Sequence, residues 1–292
     1  MNNGQIVILG NFDGVHIGHQ ALISAGRKAA DELGIPLAAW TFDSIPGSAL
    51  CRKRDREELL IGYGVDRVFF SSFNAVKGLS PETFVKAILK EELNARVVVC
   101  GYNYSFGAGG KGTPELLISL CEKYGIRVIV VAKVSVNGGD VSSSAIRALI
   151  SEGKTEEAMT LLNRPFFLRG EVAHGNGLGR TVGVPTVNFD RLEGLCLPKF
   201  GVYATLTRIE NKIYPSVTNV GVRPTVNDQR GTTAETHILN FDGDLYGKNV
   251  TVEFLRFIRE EMTFSSLEAL SKQISNDSIT AQEIAKEYSE RK

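Results

Sequence analysis

The sequence predicts two domains of different class: an α/β half built on a parallel sheet, then a β half closed by a C-terminal helix. Three observations lead there. Up to about residue 142, short continuous apolar runs alternate with helical segments, as expected of strands covered by helices on both faces. Beyond Pro165, five or six alternating segments follow one another with only turns between them, which points to a small antiparallel barrel or sandwich. The length, 292 residues, accommodates two domains at roughly 100–200 residues each.

The elements read off in order. QIVILG (5–10), PLAAWTF (36–42), DRVFFS (66–71), RVVVCG (96–101) and IRVIVVA (126–132) are the buried strands of the first half. Helices are expected from about His19 to Leu33, over 55–63, over 81–93 and over 114–124. The third of these is opened by Ser80 as N-cap and Pro81 at the first helical position. Residues 143–163 read as two short helices split at Glu152-Gly153-Lys154, and the domain boundary falls between about 150 and 166. Strands then follow over 166–174, 201–209, 213–220, 234–241 and 249–257, and the chain from about Ser266 is helical.

Composition narrows the function classes. Lys and Arg total 33, and Asp and Glu total 33, a balance that argues against a broad nucleic-acid-binding face but leaves room for a local anion site. No apolar run approaches the ~20 residues needed to span a bilayer. The start, MNNGQIVILGNFDG, has neither a basic n-region nor a cleavable apolar core, so no secretory signal is expected. Cys51, Cys100, Cys121 and Cys196 form no CxxC pair and read as reduced packing residues of a cytoplasmic protein, neither a disulfide framework nor a zinc site.

Three motifs in the first half follow strands or open helices. GNFDGVHIGH (10–19) lies between the first strand and the first helix, at the carboxyl end of a parallel strand, where open sheets bind ligands. His16 and His19, three apart at a helix start, share one face. The helix N-terminus adds free amides and a positive dipole end, and Gly10, Gly14 and Gly18 allow close backbone approach, an arrangement suited to polyphosphate. A mere tight turn is the bland alternative. GYNYSFGAGGKGT (101–113) follows another strand and is not a P-loop, since Ser105 stands where the first glycine belongs. Its Asn103 is a candidate hydrogen-bonding group and its aromatics candidate stacking platforms; the alternative is a flexible surface loop. VSSSAIR (141–147) opens a helix with three serines, one of them an expected N-cap, and converges hydroxyls and the Arg147 guanidinium on an anion site.

In the second half, GEVAHGNGLGRTVGVPTVNF carries glycines that precede no helix and so make no dinucleotide fingerprint. Thr186 and Asn188, two apart on an extended segment, face the same way and offer hard oxygen donors suited to Mg²⁺. Glu235 and His237 are likewise two apart. Burying a carboxylate inside a small barrel needs a reason, and a general base for phosphorylating a primary alcohol is one; a solvated outer-face Glu is the alternative.

The strings GNFDGVHIGHQ, GYNYSFG and VSSSAIR resemble the adenylyltransferase module of the prokaryotic bifunctional riboflavin kinase/FAD synthetase family, and HIGH with VSSSAIR resembles the two signatures of the HxGH nucleotidyltransferases. GNGLGRTVGVPTVNF, NVGVRPTV, AETHILNF and DGDLYGKNVTVEFLRFIREEMTFSSLEAL resemble its riboflavin kinase module, so the likeness covers nearly the whole chain. The resemblance implies a Rossmann-like adenylyltransferase domain over 1–153, a helical linker over 154–165, and a small antiparallel β-barrel kinase domain with a C-terminal helix over 166–292. It implies that riboflavin and ATP give FMN, and FMN and ATP give FAD and pyrophosphate, with Mg²⁺. His16 and His19 would contact ATP phosphates within the turn that includes Phe12, Asn103 would lie near phosphates or flavin, and Ser143, Ser144 and Arg147 would bind pyrophosphate. Gly175, Gly179 and Arg180 would form the ATP loop of the kinase, Thr186 and Asn188 would bind Mg²⁺ and phosphate, and Glu235 would be the base. Val187 replaces the family's usual alanine, with a side chain expected to point away from Asn188. TFDSIPG (41–47) lacks the usual His-Pro and AGGKG (108–112) the usual Gly-Arg pair. A kinase with an altered adenylyltransferase module, or a flavin-sensing regulator without turnover, are the rival readings. The sequence leaves the oligomeric state open.

Overall fold

The computed structural model describes residues 4–173, 186–189, 192–223, 231–243, 245 and 247–291. Its contacts divide the chain into two compact units, Met1–Ala145 and Ile146–Lys292.

The first unit is a five-stranded sheet of β1 (Gln5–Leu9), β2 (Leu37–Phe42), β3 (Arg67–Ser71), β4 (Ala95–Gly101) and β5 (Arg127–Val131), in the order β3-β2-β1-β4-β5. Every neighbouring pair is parallel. Because both faces are covered, each strand is apolar on both sides. Val7, Leu9, Val98 and Cys100 pack with Trp40, Phe84, Leu117 and Cys121 on one face. Ile6, Ile8, Val97 and Val99 pack with Leu22, Ile23 and Leu60 on the other. The latter come from α1 (Ile17–Leu33) and α2 (Lys53–Gly62). After the single turn α3 (Phe73–Val76), α4 (Pro81–Thr83) begins with the Ser80 hydroxyl accepting the Thr83 amide at 3.1 Å and runs on as a π-helical stretch, Phe84–Glu92. The last helix of the unit is α5 (Pro114–Glu122), and a short hairpin, β6 (Ser135–Val136) with β7 (Gly139–Asp140), precedes the serine motif. Going outward from β1, the chain winds one way to β2 and β3 and the other way to β4 and β5. The switch point therefore lies between β1 and β4, where a crevice opens at the carboxyl ends of the strands.

The helix α6 (Ser143–Ser151) crosses the division between the units, and α7 (Thr155–Leu162) follows after the expected break. The second unit is a closed barrel of β8 (Phe166–Ala173), β9 (Thr186–Phe189), β10 (Gly201–Ile209), β11 (Lys212–Arg223), β12 (Gly231–Ile238) and β13 (Asn249–Arg259), in the order β10-β11-β12-β9-β8-β13. All its pairings are antiparallel. The C-terminal helix α8 (Leu267–Glu290) lays Ala281, Ile284 and Ala285 against Val202, Ala204, Leu206, Val217 and Leu255. Asp277, buried in the middle of α8, receives the Arg259 guanidinium at 2.8 Å and the Gln273 amide at 2.9 Å, which ties the helix to the end of β13. Since α8 covers the outside, the alternate residues face inward. They form a continuous row of buried hydroxyls: Thr207 donates to Ser216, and Ser216, Thr205, Thr218 and Thr236 follow at 2.8–2.9 Å.

Candidate active sites

The turn after β1 is strained and pinned from three directions. Phe12, Gly14 and Val15 have φ of 51°, 76° and 43°. Such values are routine for glycine and an outlier for a β-branched residue, which persists only where surroundings over-determine it. The Asn11 carbonyl accepts from the Thr41 hydroxyl at 3.1 Å and from Arg56 at 3.2 Å. The buried Asp13 carboxylate accepts the Leu50 amide at 2.8 Å. The Asp13 carbonyl accepts the Ser143 hydroxyl at 2.9 Å, so the third motif, 130 residues away, closes onto the first. Ser142, not Ser143, is the serine that caps α6, accepting the Ala145 amide at 3.2 Å. Ser144 is exposed, and Arg147 stands four residues after Ser143 on the same helix, just past the division of the units.

His16 ends this turn and is itself the N-cap of α1, its Nδ1 accepting the His19 amide at 3.3 Å. Gly18 makes room for that ring, since a Cβ there would stand 3.1 Å from it. The His16 and His19 rings stack with centroids 3.7 Å apart and planes 16° from parallel, and the buried Phe12 packs on His19 at 5.1 Å. Burial draws His16 down from the usual imidazole range to about 4. Burial, reinforced by the charges of His16 and Arg56, holds His19 well below its usual value. Both rings are therefore neutral at pH 7. With Nδ1 accepting, the neutral His16 carries its proton on Nε2, as a donor. His19 Nδ1 is buried and has no hydrogen-bond partner among the described residues.

On the other side of the switch point, Gly101 ends β4 and Asn103 follows, exposed. The glycine-rich loop is a closed structure: Phe106 bridges Gly112, and Ala108 donates to the Leu79 carbonyl at 2.7 Å. Phe106 and Tyr104 pack with Trp40 and Phe84 in the core, which corrects the expectation that the loop's aromatics serve as stacking platforms. Tyr102, 47% exposed, is the aromatic of the three left for that role.

In the barrel, the register sets Glu235 opposite Asn188 on one side and Asn219 on the other, and His237 opposite Thr186 and Val217. Val217 packs under α8, so this row lies on the outer face. The expectation of an inward-facing Glu235 is thus overturned: its neighbour Thr236 points in, fully buried, and joins the hydroxyl row through Thr218. Satisfied hydroxyls take the interior, which frees the carboxylate to face outward. Asn188 is nevertheless only 3% exposed, and Glu235 is half-buried. Asn219 also donates to the Glu261 carboxylate at 3.2 Å, which brings a second acid to the same face. Val187 alternates with Asn188 and is buried opposite Thr236. Gly175, Gly179 and Arg180, and the side chain of Thr186, lie outside the described residues. All four cysteines are buried, and none forms a disulfide. Among the described residues no group of three or more His, Cys, Asp or Glu is placed to hold a metal ion.

Sequence reading missed Arg56 and Thr41, both essentially buried beneath the turn. The run Arg52-Lys53-Arg54-Asp55-Arg56 reads as a solvated charged stretch. The available signal was spacing: Arg56 precedes the core residue Leu60 by four, which puts it on the apolar side of α2.

Two family models match the chain: FAD synthetase over residues 1–145 and riboflavin kinase over residues 162–285. A protein named bifunctional riboflavin kinase/FMN adenylyltransferase from Pseudomonas fluorescens is 36% identical over 97% of this chain and 94% of its own. Proteins of the same name from Listeria monocytogenes and Escherichia coli K12 are 34% and 33% identical, over 94% and 96% of this chain and 90% and 92% of theirs. A crystal structure described as a macrolide-efflux protein from Streptococcus pneumoniae is similar with a TM-score of 0.84 at 32% identity, covering 96% of this chain and 94% of that one. No helix among the described residues is long and apolar enough to cross a membrane.

Proposed function

The chain belongs to the bifunctional riboflavin kinase/FMN adenylyltransferase family, and from that premise we propose that its first unit turns FMN and ATP into FAD and pyrophosphate, and its second turns riboflavin and ATP into FMN. The observation that carries the first assignment is the Ser143–Asp13 hydrogen bond, which joins two distant anion-binding motifs beside the stacked histidines at the sheet's switch point.

In adenylyl transfer, an FMN phosphate oxygen attacks the α-phosphorus of ATP. The bond from that phosphorus to the oxygen bridging to the β-phosphorus breaks, and its electron pair leaves with pyrophosphate. The nucleophile is already an anion, so no general base is needed, and catalysis rests on placement and on stabilising charge. The neutral His16 donates through Nε2 to a phosphate oxygen. Ser143, Ser144 and Arg147 are assigned to the pyrophosphate, and Asn103, within the second motif, to phosphates or flavin. Gly10, Gly14 and Gly18 keep the turn slim.

In the kinase step, the terminal ribityl hydroxyl attacks the γ-phosphorus, Glu235 takes the hydroxyl proton, and ADP leaves with the electron pair of the broken bond. Asn188 and Glu235 are oxygen donors in register on one face, a donor set that fits a hard divalent cation completed by phosphate and water. Asn188, with Thr186, would hold Mg²⁺, which when bound neutralises phosphate charge. Gly175, Gly179 and Arg180 are assigned to the ATP loop. Both steps use ATP and free flavins, with neither nucleic acid nor membrane as partner, and the cytoplasm is the proposed site of action.

The test is His19→Ala assayed with riboflavin and Mg-ATP, resolving FMN from FAD. FMN should accumulate and FAD should not form. Equal loss of both products from a folded protein would overturn the division of labour.

A further inference from the structure

We infer that Arg56 is a positioning residue for adenylyl transfer, a buried guanidinium that fixes the Asn11 peptide and through it the strained turn presenting His16 and His19. The inference rests on the reading of the first unit given above.

Arg56 is 1% exposed, although it sits in a highly charged segment at the start of α2. One terminal nitrogen donates to the Asn11 carbonyl at 3.2 Å and the other donates to the Phe42 carbonyl. Its Cζ lies over the Phe70 ring, 5.4 Å from the centroid. One side chain therefore links the carboxyl ends of β1 and β2 and rests on β3. Arginine alone can do this: its planar fork reaches two carbonyls in fixed directions, whereas an ammonium is a single point.

The arrangement is a poor one for stability. Nε is buried with no hydrogen-bond partner among the described residues. Asp13, Asp43 and Cys51 act on the charge only through space. Buried cations without a close counter-ion are expensive, and an apolar replacement of similar volume is often neutral or stabilising. A residue that the fold would be as well without, set directly under the one strained turn of the candidate site, points to function. Without Arg56, the Asn11 carbonyl keeps only the Thr41 hydroxyl, and Phe12, Gly14 and Val15 lose part of what holds their left-handed backbone. The histidine pair follows that turn directly, and a misplacement of about 1 Å costs roughly 10²-fold in rate.

The experiment uses the full chain and the variants Arg56→Met, Arg56→Lys and His19→Ala. Initial rates of FAD formation from FMN and of FMN formation from riboflavin are measured with Mg-ATP, alongside Tm. Arg56→Met should lower kcat for FAD formation by about 10²-fold with a smaller change in the KM for ATP. Riboflavin phosphorylation should be unchanged and Tm should stay within about 4 °C of the parent. Arg56→Lys, with charge but no fork, should fall between. FAD formation by Arg56→Met within threefold of the parent overturns the inference, as does loss of activity in step with a collapse of Tm, which marks a structural role. If His19→Ala also leaves FAD formation intact, the reading of the site has failed; if it abolishes FAD and Arg56→Met does not, only the role of Arg56 has.

Discussion

Replacing His16 by asparagine separates the two tasks this histidine performs, capping α1 and remaining neutral. Asparagine is a good N-cap, so the start of the helix should survive while the titrating group is gone. The magnitude follows from the burial that draws His16 from 6.5 to about 4. Between those values the unfolded chain binds a proton that the folded chain refuses, so stability rises with pH. The contribution is complete above pH 6.5 and lost as pH falls toward 4. A shift of this size corresponds to about 3 kcal/mol in full, of which about 2 kcal/mol is lost by pH 5. The sole tryptophan, Trp40, is 3% exposed in the core of the first unit, so its fluorescence in a urea titration reports that unit alone. The difference in unfolding free energy between the parent and His16→Asn should shrink by about 2 kcal/mol from pH 7 to pH 5. His19 still titrates in both proteins, so some slope will remain in the variant. A difference that does not change with pH would refute the neutral, buried His16 and the tautomer assigned to it.

Three further outcomes are expected. Glu235→Gln should lower riboflavin phosphorylation by ~10²–10⁴-fold and leave FAD formation from supplied FMN intact; kinase activity within about tenfold of the parent would sink the base assignment. Ser143→Ala removes the donor on the Asp13 carbonyl and should destabilise the first unit by about 1 kcal/mol in the Trp40 titration, with FAD formation reduced and the kinase unaffected. A fragment of residues 142–292 should fold and make FMN, whereas one starting at residue 160 should be less stable by about 3 kcal/mol or more. The later start removes Thr155, whose hydroxyl donates to the Leu255 carbonyl at 3.1 Å, and Met159, which packs against the α8 cluster. Equal stability of the two fragments would show that α7 is only a connector.

The parallel half was legible because burial on both faces leaves unmistakable apolar runs: QIVIL and RVVVC read as buried strands and are β1 and most of β4. The motif geometry was legible as far as spacing reaches. A separation of three put the histidines on one face, and they stack. The alternation in AETH put Glu235 and His237 on one side of their strand, and they are. Which side was inverted, because alternation reports a period and not an inside. The interior of this barrel is lined in part by threonine and serine, so polarity does not mark the outer face. Arg56 was invisible for a related reason: a charge in a charged run looks solvated, and only the fold of β1, β2 and β3 around it shows that it is not. Which serine caps α6 depends on where the helix starts to within one residue, a precision that serine repeats do not supply.

The row from Thr207 through Ser216, Thr205 and Thr218 to Thr236 crosses three strands of the barrel and depends on their alignment. Side chains alternate, so a slip of β11 by one residue would turn Ser216 and Thr218 outward and bring Val217 and Asn219 against Thr205 and Thr236. An aliphatic lining would tolerate such an error at modest cost, since one methyl group packs much like another. A line of hydroxyls does not, because each misplaced partner leaves a dry oxygen without a bond. During folding the row therefore acts as a proofreading device for strand alignment, accepting one pairing and penalising its near misses before any ligand is present.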